Sequence, residues 1–207
     1  MRIALHRHDR TQIASRRNVA ATSLFDVVWR PFQLNAGSSL EGVDKMRMYN
    51  QKFGADRVAA MVPRMKETGA GCEPPIEFSY GGMTGNTLRS HRLTEWAKRQ
   101  GGLPAQDRVM EALFKRYFEQ EKNICDVEVL ASAATEAGLD AAAARAMLAD
   151  GAAAPTGAEV EREEDELRRR YGVRGVPHFV IGTKYSFSGA QDASTLAQVL
   201  DECLASP

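Results

Sequence analysis

The sequence predicts an α/β fold in which a small sheet is split by a large α-helical insertion. Three observations carry the prediction. FDVVWR, residues 25–30, is aromatic and β-branched and is stopped by Pro31, which marks a strand. HFVI and YSFS, residues 178–181 and 185–188, flank the turn GTK and lead into a helical pattern from Asp192, a terminal ββα unit. Between the two ends lies a long block in which apolar residues recur three or four apart.

In chain order, QLNAGSSLEG is a loop after Pro31. Val43 to Gly71 is helical, with Met46, Tyr49 and Phe53 and then Val58, Met61, Val62 and Met65 on shared faces. Gly54 punctuates it, and Pro63 must start, kink or end a helix. GAGCEPP marks a loop and IEFSY a strand. GNTLRSHRLTEWAKRQGG is a helix stopped at Gly101; PAQDRVMEALFKRYFEQEKN is a second, opening on proline and aligning Val109, Leu113, Phe114, Tyr117 and Phe118. DVEVLASAATEAG and DAAAARAMLADG each start with an aspartate suited to capping. TGAEVEREEDELRRRYGV runs from acidic to basic, the direction that complements a helix macrodipole. Val160, Leu167 and Tyr171 form its inner seam and its charges a solvated face. The domains expected are 1–35 as a partial βαβ segment, 36–155 as the helical insertion and 156–207 as the closing ββα segment.

Lys+Arg 27 and Asp+Glu 27 cancel, so no net field draws the 207-residue chain to nucleic acid or to a membrane. No apolar run approaches the roughly 18 residues of a membrane-spanning helix. Cys72, Cys125 and Cys203 lie far apart, without CxxC or zinc-finger spacing, which fits a reducing compartment and predicts no metal centre. Arg2, Arg7, Arg10, Arg16 and Arg17 stand against a single acid, Asp9, near the start, the composition of a mitochondrial transit peptide. Cytoplasmic residence is the first expectation and mitochondrial import the alternative.

FDVVWRPFQLN, NTLRSHRLTEWAKRQGG, ALFKRYFEQEKNICDVEVLASAATEAGLD and GVRGVPHFVIGTKYSFSGAQ together resemble the FrnE-like branch of the DsbA-like thioredoxin superfamily, in the order found there. The similarity spans about residues 25 to 203. It implies a thioredoxin-like fold with a large α-helical insertion subdomain, its first strand and CxxC loop degenerate or missing. It implies thiol–disulfide exchange through a mixed disulfide. Val176 and Pro177 would form a cis peptide whose main chain pairs with an extended peptide or with glutathione. Asn86 and His91 match positions at the mouth of the family's cleft, where they would hold a polar substrate; helix capping by Asn86 and core packing of His91 compete with that role. Gly189 and Gln191 begin the last helix region, whose N–H groups suit a carboxylate such as glutathione's, unless Asp192 is simply the cap. His178 replaces an aromatic or aliphatic residue, and its ring either tunes a thiolate or packs away from it.

Members of the family begin with a strand and a CxxC loop ahead of the strand matched by FDVVWR, yet no cysteine precedes Phe25. One reading takes MRIAL as a remnant strand and HRHD as the loop, with His6 and His8 near the cysteine positions as bases or metal ligands. The favoured reading is a late start. The first strand is central in this fold, five residues replace it poorly, and each unsatisfied buried group costs roughly 1–3 kcal/mol.

The function expected is a disulfide oxidoreductase acting on protein or small-molecule thiols, inactive where no CxxC is supplied, with glutathione the one small ligand in view. A glutathione-dependent isomerase or transferase is one alternative, like the kappa-class transferases and 2-hydroxychromene-2-carboxylate isomerases that share the fold. A redox-dead peptide-binding module is the other. The oligomeric state stays open, a homodimer included.

Overall fold

The computed structural model describes residues 2–7, 25–149, 157–182 and 184–205, the first of these segments as backbone. In chain order the elements are β1 (Arg2–Arg7), β2 (Phe25–Arg30), β3 (Val43–Asp44), α1 (Lys45–Phe53), α2 (Ala55–Ala70), β4 (Met83–Thr84) and α3 (Leu88–Phe118). After them come α4 (Val127–Glu136), α5 (Ala141–Leu148), α6 (Gly157–Tyr171), β5 (His178–Ile181), β6 (Tyr185–Ser188) and α7 (Ala193–Ala205). The chain divides into two compact units, Met1–Leu34 with Ala158–Pro207, and Asn35–Gly157.

The first unit holds a sheet of order β2-β1-β5-β6. β1 is antiparallel to β2, from Arg2↔Arg30 to Arg7↔Phe25, and parallel to β5, from Arg2↔His178 to Leu5↔Ile181. Two expectations are corrected here. The first residues do supply a central strand, with ladder pairing on both of its edges. The antiparallel β1–β2 pairing is also not that of a βαβ unit, whose strands run parallel around a crossover helix. The leader reading and His8 fall mostly or wholly outside the described residues.

β5 is buried along its whole length, whereas β6 alternates half-buried Tyr185 and Phe187 with exposed Ser186 and Ser188. Phe179 stacks on Phe187 with ring centroids 5.3 Å apart, tying the hairpin on one face. After β2, Phe32 and Gln33 are buried beside α6. Glu164, expected on a solvated face, is buried: it accepts the Gln33 N–H at 3.0 Å and lies 2.6 Å from the Arg168 guanidinium. Arg168 also sits 4.1 Å above the Phe32 ring, and Arg30 pairs with Glu163 at 2.6 Å. Those charges fasten α6 to the end of β2. The i, i+4 pattern alone could not reveal it, because Gln33 lies 131 residues from Glu164.

The second unit is helical apart from the short β3–β4 pair. α3 breaks at Gly101 and Gly102, where φ reaches +68° at Gly102, so it is two rods, with Pro104 in the first turn of the second. Leu93, Trp96, Ala97, Val109 and Leu113 of α3 pack with Leu130, Ala134 and Met147 as the core. Asp126 and Asp140 cap α4 and α5, accepting from Glu128 N at 2.7 Å and Ala143 N at 2.6 Å. α2 runs through Pro63, whose missing N–H leaves the carbonyl of the exposed Ala59 without its helical donor, a loss that solvent access makes tolerable. IEFSY is not a strand. Its N–H groups go to non-strand acceptors instead, Ile76 to Gly69 O at 2.9 Å and Ser79 to Phe118 O at 2.6 Å. Among the described residues no helix is long and apolar enough to cross a membrane.

Candidate functional site

The loop from α6 to β5 presents the Val176–Pro177 segment. Gly172, at φ +62°, follows the last residue of α6 in a left-handed conformation suited to glycine. Val173 anchors in the core, Val176 is half-buried and Pro177 is exposed. The Val176–Pro177 bond is cis, as is Glu73–Pro74 in the second unit. Pro177 O accepts the N–H of Gly189 at 2.9 Å, extending the β5–β6 ladder by one bond past His178↔Ser188. Gly189 makes that bond at φ +93°, a conformation that a side chain would strain.

His178 is buried within the sheet. Its Nδ1 lies 2.7 Å from Ser188 Oγ and its Nε2 3.1 Å from Ser186 Oγ, so both ring nitrogens are engaged by the neighbouring strand. The ring thus packs along β6. Gln191 is exposed, its Nε2 3.4 Å from Gly189 O. Asp192 caps α7, accepting from Thr195 N at 2.8 Å and Ser194 Oγ at 2.6 Å. Those two donors, the hydroxyl first, hold its carboxyl below the ordinary aspartate range. A carboxylate of the chain itself therefore stands in the first turn where a ligand carboxylate was expected.

Of the residues expected at the site, Val176, Pro177, Gly189 and Gln191 lie together in the first unit. His6 does not join them. Its backbone pairs with Asp26, four residues along β1 from Arg2, the residue paired with His178, and thus away from the Pro177 end. Asn86 and His91 belong to the second unit. Asn86 caps α3, its Oδ1 accepting Leu88 N at 2.8 Å and its Nδ2 donating to Ala36 O at 2.7 Å, so both ends of the amide are used internally. His91 is half-buried on the first turn, its N–H bonded to Thr87 O at 3.0 Å.

None of the three cysteines is in a disulfide. Cys125 is buried, its thiol donating to Asn86 O at 3.2 Å, and burial pushes its pKa up against the smaller opposing pull of Arg89. Cys203 approaches Gly182, past the Ile181 end of β5 and not the Pro177 end. Cys72 sits at the end of α2 in the second unit, half-buried. Among the described residues, no group of three or more potential metal ligands is found.

One cluster has no sequence signature. Lys45 is buried, with Nζ 2.8 Å from Tyr117 O and 4.0 Å from the Tyr117 ring centre, while Tyr117 Oη lies 2.9 Å from Thr84 Oγ1. Burial lowers the Lys45 pKa and raises that of Tyr49 nearby. A lone lysine between Asp44 and Met46 gives no periodic clue to this knot, which joins α1, β4 and α3.

A four-stranded sheet with a closing ββα unit and a helical insertion between β2 and β5 places the chain in the thioredoxin-like class. The family model described as "DSBA-like thioredoxin domain" matches residues 5–201, and the chain belongs to that family. A search of curated proteins finds no match.

Proposed function

We propose that the chain holds thiol-bearing polypeptides along the Val176–Pro177 edge, the substrate side of the thiol–disulfide exchange catalysed by oxidoreductases of the FrnE-like type. The carrying observation is the open segment leading into β5 in a DSBA-like domain, where Pro177 is exposed to solvent and Val176 half open. Pro177 has no N–H and its carbonyl already accepts from Gly189, so an extended peptide would pair with the main chain of Val176, just ahead of the strand. Exchange requires a thiolate that attacks a disulfide sulfur and expels the other sulfur as thiolate. Cys125 is sealed and Cys203 lies at the other end of β5, so neither is placed to do this; Cys72 belongs to the second unit and has no partner cysteine near it in sequence. Glutathione or a dithiol partner supplies that thiolate in this reading.

The same three cysteines favour a second reading, a peptide-binding module with no redox role. One experiment addresses binding and chemistry together. A reduced, unfolded peptide bearing a photo-crosslinker is mixed with the protein, and the crosslinked residues are mapped. Crosslinks at residues 174–178, lost in Val176→Asp, are expected; crosslinks elsewhere, or none, sink the docking edge. Insulin reduction with glutathione present then separates the two readings. Acceleration above a Pro177→Ala control supports exchange, and its absence leaves the binding module. Retention on immobilised glutathione, lost on Val176→Asp, would point instead to a glutathione-dependent isomerase or transferase.

A further inference from the structure

We propose that the approach to Val176–Pro177 selects acidic polypeptide segments, with Arg169, Arg170 and Arg174 as the residues that make the choice. This rests on the docking edge proposed above and names its specificity. From Leu167 to Gln191 the chain carries Arg168, Arg169, Arg170, Arg174 and Lys184 and no aspartate or glutamate, although the whole chain is balanced at 27 basic and 27 acidic residues. A local excess of this kind is a property of the segment.

Part of it has a structural explanation. Cations in the last turn of α6 complement the helix dipole, and Arg168 is committed to Glu164 at 2.6 Å and to the Phe32 ring. The remaining arginines are different. Arg169, Arg170 and Arg174 are exposed, and none forms an ion pair with a carboxylate among the described residues. Arg170 has only a distant ring contact, 5.2 Å to the Tyr171 centroid. Arg174 lies beyond Gly172, outside the helix, so the dipole does not account for it. It is set between the buried Val173 and the loop that enters Val176, two residues upstream of the edge itself.

The cations extend from the last helical turn through the loop to the strand start. At about 1.5 Å per residue in the helix and about 3.3 Å in extended chain, that spans well over the length of one carboxylate. An extended peptide with several acids fits this spread, whereas a small acidic thiol would meet one or two of the charges. Exposed charges of this kind act mainly on encounter rate and partner choice and are screened by salt.

The test uses two fluorescein-labelled peptides with one apolar centre, flanked by Asp and Glu in the first and by Asn and Gln in the second. Anisotropy titrations at low and high salt are run on the full chain, on the triple variant R169A/R170A/R174A and on Arg162→Ala, an exposed arginine earlier on α6. The acidic peptide is expected to bind about tenfold tighter at low salt, as three weak charge contacts allow. That advantage should vanish at high salt and in the triple variant and persist in Arg162→Ala. Because the replaced side chains are exposed, circular dichroism should show the triple variant folded; a variant that unfolds is replaced by Arg174→Glu alone, expected to reverse the preference. Equal binding of both peptides overturns the selectivity and leaves the docking edge standing. An acidic preference unchanged in the triple variant overturns it too, by locating the charge elsewhere. Failure of both peptides to bind removes the docking edge and this inference together.

Discussion

At position 164 a carboxylate sits inside the protein with a backbone N–H and a guanidinium as partners. Glu164→Ala leaves the Gln33 N–H without its acceptor, a loss of about 1–3 kcal/mol in the first unit. The urea midpoint should fall with the slope unchanged; an unmoved midpoint would mean that water reaches Gln33 freely. Asp192 makes a prediction about acid. Its folded pKa lies below the ordinary 3.8, so the stability it contributes is complete above that value and is lost as pH falls through the folded pKa. Thermal melts below about pH 4 should therefore drop more steeply for the native chain than for Asp192→Asn, which cannot titrate. Parallel curves would show that the cap is not formed in solution. At this scale the sequence was partly legible. Asp126, Asp140 and Asp192 announce themselves as caps through position alone, whereas Glu164 and Lys45 depend on partners that no local pattern reveals.

Among the elements, α2 carries a glycine whose role is reversed by its surroundings. Replacing a helical glycine by alanine ordinarily stabilises by roughly 0.5–1 kcal/mol. A Cβ on Gly69 would stand 2.3 Å from Ile76 O and 2.7 Å from the Phe78 ring, so Gly69→Ala should instead destabilise by about 1–3 kcal/mol. A raised melting temperature would sink this account. The contact also explains why IEFSY misleads. Its composition favours a strand, but the chain returns so closely over α2 and the end of α3 that Gly69 O, Phe118 O and the Glu119 carboxylate take its N–H groups. The break in α3 and the closing hairpin were legible because their signals are local, in the Gly101 stop, the proline after it and the short run YSFS, whereas the two-residue strands β3 and β4 were not: Val43 was read as the start of a helix and Met83–Thr84 carried no strand signal. The direction of β1 was not, since strand pairing depends on how the chain returns and composition does not encode that.

For the molecule as a whole, the three thiols give a simple reading of packing. Maleimide should modify Cys72 and Cys203 in the native protein and reach Cys125 only as the second unit opens, with all three modified in denaturant. Fast native modification of Cys125 would mean that its seal against Asn86 is absent. The Val176–Pro177 segment was singled out in the sequence through its family likeness. The arginines leading to it were visible only as helix-end charges, until the structure showed Arg169, Arg170 and Arg174 exposed and without a carboxylate partner among the described residues. The unit Asn35–Gly157 is continuous, whereas the sheet joins β1 and β2 to strands made after it. During synthesis the helical unit can therefore finish while the half-sheet ahead of it still waits for β5, with one edge of β1 open. Ribosome-stalled chains ending near residue 157 should protect the helical unit from protease and leave residues 25–34 cleavable; that segment should become resistant only once the ribosome has released the strand 178–181.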